Sequence, residues 1–215
     1  MARNTIPTGR AHATREQILV AAERLFAEHG VFSVSNRQVS EAAGQGNNFA
    51  VGYHFGTKTD LVRAIVHRHQ ERIDAIRERM VTEVPGEGEV RDWVACLVRP
   101  ITEHLAEIGP PSWYGRFGAQ VMTDPVLRAI MIEDALSQPL IQRVLDGLGR
   151  CLPELPGEVA RERSDMTRLL MVHVVAERER ALADGRATRR STWEDAANGL
   201  ADAIVGLWLA PVTGR

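Results

Sequence analysis

Long apolar runs are missing from this 215-residue chain. No stretch approaches the ~20 consecutive apolar residues that a membrane-spanning helix needs, so no membrane partner is expected. Cysteine is nearly absent. Cys96 and Cys151 are too few and too isolated for a disulfide framework, which makes a reducing cytoplasm the expected setting. The opening MARNTIPTGR lacks the apolar segment of a secretory signal. Aromatic residues make up only 5%, and β-branched runs are scarce while Ala, Leu, Arg and Glu abound. That balance predicts an all-α protein. Lysine is all but missing too: Lys58 is the only one in a chain that otherwise uses arginine.

The chemistry of catalysis is also lacking. There is no Gly-rich phosphate loop, no nucleophile elbow and no metal-ligand spacing, so neither an enzyme nor a cofactor is expected. His67 and His69 stand two apart and point to different sides of a helix. His67 and Glu71 are four apart, but two ligands do not make a metal site.

What is present begins with a charge asymmetry. Residues 1–80 hold 11 basic and 8 acidic side chains, and the remainder 15 and 20. The N-terminal part is therefore mildly positive and the rest acidic, which suits a domain that meets phosphate carried by one that does not. The stretch 35–58, SNRQVSEAAGQGNNFAVGYHFGTK, predicts two short helices joined by a tight turn. Ser35 and Gln38 have the spacing of a capping box. Gly44 is suited to the left-handed end of the first helix. Asn47 or Asn48 is placed to cap a second helix through Phe49, Val51 and Tyr53. The small pair Ala42 and Ala43 allows the close approach of a helix-turn-helix.

A helix ending in Glu-Ala-Ala-Gly, followed by Tyr53-His54-Phe55, then Lys58 and Leu61, resembles the DNA-binding domain of the TetR family of one-component regulators. The likeness is detailed over about residues 12–75. The chain departs from the usual pattern in a turn one residue longer before Tyr53, and in Gly52 where an aromatic is common. The resemblance implies a homodimeric repressor that releases a palindromic, inverted-repeat operator in double-stranded DNA when a small molecule enters its larger domain. It also implies that Tyr53 and His54 touch the DNA backbone, and it favours a phosphate contact for Lys58. The residues expected at DNA are Thr14, Arg15, Ser35, Arg37, Asn47, Asn48, Phe49, Tyr53, His54 and Lys58. Of these, Asn47, Asn48 and Phe49 are expected to choose the sequence.

In chain order, residues 1–13 read as a flexible arm carrying Arg3 and Arg10. Thr14-Arg15-Glu16-Gln17 then reads as a capping box opening the first helix, with Ile18, Ala22, Leu25 and Phe26 as its apolar stripe. The helix-turn-helix domain covers 14–58 and a connecting helix 59–81. After the Pro85-Gly86-Glu87-Gly88 break, a larger ligand-binding and dimerisation domain runs over 87–211. Within it, Pro100 and Pro139 interrupt helical patterns and leave room for a pocket. Its expected lining is Trp93, Cys96, Phe117, Met122 and Met131, with Trp113 alongside and His104 as one polar contact. A largely apolar effector follows from that lining. The last two helices, at about 158–183 and 192–210, the second opening at Ser191-x-x-Glu194, are expected to form the homodimer bundle. The alternative is an all-helical enzyme or small-molecule carrier whose helix-turn-helix no longer reads DNA. The intact set Arg37, Tyr53, His54 and Lys58 argues against it.

Overall fold

The computed structural model describes residues 9–47 and 49–213, the side chain of Arg10 excepted. Asn48, expected at DNA, and residues 1–8 of the expected arm, with Arg3, lie outside the described residues. The chain is all-α, with ten helices and no strand among the described residues. None is long and apolar enough to cross a membrane.

Helix α1 (Gly9–His29) starts earlier than its sequence suggests. Ala11 and Ala13 are strong helix formers, and nothing between Arg10 and Thr14 breaks the pattern. Thr14 therefore lies inside α1 instead of capping it, and residues 9–13 are helical. Gly30 ends the helix at φ +86°, a conformation that disfavours any side chain. Helix α2 (Asn36–Ala42) is capped by Ser35, whose hydroxyl accepts from the Gln38 N–H while Gln38 reaches back to the Ser35 N–H at 2.8 Å. Gly44 at φ +68° turns the chain. Gln45 holds the turn by donating to the Ala43 carbonyl and to Gln17 of α1, both at 3.0 Å.

Helix α3 is short, Ala50–Phe55. It is preceded by Phe49, which supplies no side-chain cap, and Asn47 accepts from the Phe49 N–H at 2.9 Å, one residue before the helix. The longer turn thus consumes residues that the sequence pattern assigned to the helix. Helix α4 (Lys58–Glu83) opens on a reciprocal cap between Thr57 and Asp60. Leu61, Val62, Ile65, Ile73 and Ile76 are buried along it, so one rigid rod contributes to both halves of the molecule.

Six further helices follow: α5 (Val90–Ile108), α6 (Tyr114–Thr123), α7 (Pro125–Leu136), α8 (Pro139–Cys151), α9 (Gly157–Ala183) and α10 (Trp193–Leu209). Pro100 lies within α5, which continues past it, whereas Pro139 separates α7 from α8 as a first-turn proline. α10 is capped by Thr192 accepting from the Asp195 N–H, one residue beyond the expected Ser191 and Glu194 pair.

Two cores result. The first joins Ile18, Phe26, Val39, Val51 and Leu61 to Tyr114, Phe117, Leu127 and Val175, so α6 is packed into the same apolar body as α1. The second gathers Trp93, Val94 and Cys96 of α5 with Val144 and Leu148 of α8 and with Leu200, Ile204 and Trp208 of α10.

Candidate nucleic-acid interface and effector cavity

Phe49, just ahead of α3, and Tyr53 within it are four residues apart, about one helical turn, and lie 79% and 86% exposed. Two aromatic side chains left in water on one helical face mark a surface that expects a partner. His54 is half-buried, with its ring centroid 5.1 Å from that of Tyr53. Arg37 is exposed on α2 and pairs with Glu41 at 2.7 Å, a contact weak enough in water to be exchanged for a phosphate. Ser35 is also exposed, but its hydroxyl serves the cap. Arg15 lays its guanidinium 4.8 Å over the Phe55 ring and so ties α1 to the end of α3. With α1 starting at Gly9, neither Thr14 nor Arg15 sits at a helix N-terminus, and the positive helix end invoked for them is gone.

Lys58 has a different task from the one its sequence position suggests. Its ammonium donates to the carbonyls of Val31 at 3.0 Å and Val34 at 2.5 Å, and lies 5.8 and 5.7 Å from the Phe26 and Phe32 ring centroids. Burial lowers its pKa from the ordinary lysine value. The side chain bolts the start of α4 to the loop between α1 and α2, occupying carbonyls that no helix satisfies.

Behind this domain, α4 to α9 enclose a cavity of about 470 Å³, within the range of small-molecule sites. Phe117, Met122 and Met131 line it, as their sequence context suggests. Trp93 and Cys96 do not: they belong to the second core, on the α5 face turned to α8 and α10. Burial pushes the Cys96 thiol up to about 11, which leaves it inert. His104 and Trp113 face a smaller recess of about 300 Å³ between α1, α4 and α5, shared with Glu23 and His69. The four displaced residues are as apolar or as helical in pattern as the true lining. What separates Trp93, Cys96 and His104 is that α5 turns Ile101 to the cavity and these three elsewhere, while Trp113 stands just ahead of α6; tertiary packing sets both.

Several residues of the site carried no local signal. Glu179 of α9 is 2% exposed and accepts from the N–H groups of Gly115 (3.2 Å) and Arg116 (2.8 Å), so it caps α6, which has no cap of its own. In the sequence it is one member of an alternating Glu and Arg run. Glu23, His69 and His104 form a buried chain across three helices, with His69 contacting Glu23 at 2.9 Å and His104 at 2.8 Å. Arg77 of α4 lies on the cavity wall.

Comparison with known families decides what this arrangement is. The family of bacterial regulatory proteins typified by the tetracycline repressor matches residues 18–65, and the tetracyclin repressor-like C-terminal domain matches residues 95–206. The chain belongs to the TetR family. It is 29% identical over 125 residues to the HTH-type transcriptional repressor AcnR of Corynebacterium glutamicum, a match spanning 56% of this chain and 57% of that protein. To AcnR of Corynebacterium efficiens it is 26% identical over 184 residues, 83% of this chain and 82% of the relative. Among solved structures, NalD, the secondary repressor of the MexAB-OprM multidrug efflux pump in Pseudomonas aeruginosa, superposes with a TM-score of 0.57. That match has 19% identity and covers 95% of this chain and 100% of NalD, a likeness of fold. Membership of that family makes the chain a DNA-binding transcription regulator, and the match over residues 18–65 runs from within α1 to the opening turns of α4.

Proposed function

We propose that the protein is a homodimeric transcriptional repressor that holds an inverted-repeat operator and releases it when a small, largely apolar effector enters the cavity beneath α4. One observation carries this reading. A single helix, α4, is bolted by Lys58 to the helix-turn-helix at one end and supplies Val66, Gln70 and Arg77 to the cavity wall further along. A ligand that changes the tilt of α4 then changes the separation of two recognition helices in a dimer. In this reading Phe49 and Asn47 approach base edges, with Asn48 beside them in sequence, while Arg37, Tyr53 and His54 meet the DNA backbone.

The test is a gel shift with DNA from upstream of the protein's own gene, at two salt concentrations. A retarded complex with two protomers per site, weakening steeply as salt rises, is expected. Absence of any complex that survives competitor DNA would overturn the reading.

A further inference from the structure

The cavity walls are apolar over most of their extent, with Phe117, Val121, Met131 and Met171 among them. Arg77 stands out on that wall. It is only 6% exposed, and its Nη1 donates to Asp74 at 2.5 Å while its Nε meets no acceptor. Asp74 Oδ1 also accepts from Gln70 at 2.9 Å, so the one carboxylate serves two donors. A buried, charged donor left without a partner is costly, and persists where something else completes it. The other arginine of the cavity, Arg63, is half-exposed and already paired with Asp134 at 3.0 Å.

The shape of the open donor set is informative. On a guanidinium, Nε–H and one N–H of Nη2 lie side by side on the edge away from Nη1. That edge takes an oxyanion two-pronged. Beside it on the wall is Tyr114, whose phenol burial keeps protonated and therefore able to donate.

The geometry points to an effector that is an amphiphile with a single oxyanionic head group, received by the Nε–Nη2 edge of Arg77 beside Tyr114, its apolar body lying between Phe117 and Met131. The inference rests on the proposed effector role of the cavity and names the chemistry of its ligand. It adds one charged end to the largely apolar effector expected from the sequence, because a buried cation with an unpartnered Nε sits on the wall.

Calorimetric titration of the full-length protein tests it, since no tryptophan lines this cavity to report binding. The probes are decanoate, decyl phosphate, decan-1-ol and decylamine, which share one tail. Both anions should bind at least tenfold more tightly than the alcohol and the amine, and the ratio between the two anions tells carboxylate from phosphate. Arg77→Gln should erase the preference, and Asp74→Asn, which removes the competing carboxylate, should widen it even if Arg77→Gln does not fold. Met131→Trp should abolish binding of all four by filling the space. Equal binding of decanoate and decan-1-ol, no binding of either anion, or a preference unchanged in a folded Arg77→Gln protein would each overturn the head-group assignment. Decanoate that binds through Arg77 yet leaves operator affinity unchanged would uphold the head group and sink the effector role instead.

Discussion

At position 147 the backbone of α8 runs so close to Trp93 that no side chain fits. A Cβ there would lie 2.3 Å from Cε2 and 2.4 Å from Cδ2 of the indole. Gly88 presses on the same ring, its would-be Cβ 2.8 Å from Nε1, and the Trp93 N–H donates to the Glu87 carbonyl at 3.0 Å. Trp93 is thus a wedge between two glycines, which explains its absence from the cavity. Gly147→Ala should destabilise the protein by about 1–3 kcal/mol through overpacking, read from urea unfolding, with part of the loss recovered by adding Trp93→Phe. A cost within error of zero would show that α8 shifts freely. His104 supports a second expectation at this scale. Burial holds its imidazole down at about 4, with His69 acting in the same direction and Glu107 against it. Glu23, Arg72 and Tyr114 also surround the pair formed with His69. The unfolded chain takes up this proton from about pH 6.5 downward and the native one only near 4, so stability is lost as pH falls through that window. His104→Asn should therefore be less stable than the parent at pH 7 by a margin that shrinks towards pH 4.5. Unfolding curves at four pH values decide it, and a widening margin would contradict the buried neutral imidazole.

At the scale of elements, the parts legible in the sequence were those with local causes. The Ser35 and Gln38 box, the glycine at 44, the loop at 85–88 and the split at Pro139 each follow from a residue's own backbone preference. What stayed hidden depended on partners far along the chain. Glu179 caps α6 from α9, Arg163 of α9 caps α10 through the Trp208 and Ala210 carbonyls, and Lys58 turns inward because Val31 and Val34 offer it oxygens. The start of α1 was misread because a Thr-x-x-Gln pattern competes poorly with alanines already in helix. The reassigned role of Lys58 has a clear consequence. Lys58→Ala should cost about 1–3 kcal/mol of stability, for lost charged hydrogen bonds, and weaken DNA binding by loosening α4. The slope of log affinity against log salt should stay unchanged. A slope shallower by about one would instead place the ammonium on a phosphate.

At the scale of the whole molecule, a second surface that is out of place in water lies on the last two helices. Met166, Leu169 and Val174 of α9 are 40%, 45% and 40% exposed, and Leu209 of α10 is 51% exposed. On α10 the outward stripe runs Ala203, Gly206 and Leu209, small enough for a second helix to approach. Around the α9 axis Leu169 and Val174 lie roughly 60° and 80° to either side of Met166, so the three share one side of that helix, a face that a second copy would cover with the same face of its own. A two-fold bundle of this kind fixes the spacing of the two helix-turn-helix units, which fits half-sites on one face of the duplex. Leu169→Arg combined with Val174→Arg puts four buried cations into that bundle, which desolvation forbids. The variant should sediment as a folded monomer. Its operator affinity should fall by about a hundredfold or more, because two half-sites held together act through a high effective concentration that a monomer lacks. Binding to a single half-site should hardly change. Sedimentation and gel shifts on whole and half operators separate the outcomes. A variant that stays dimeric moves the interface elsewhere, and a monomer that keeps full operator affinity removes the dimer from the mechanism.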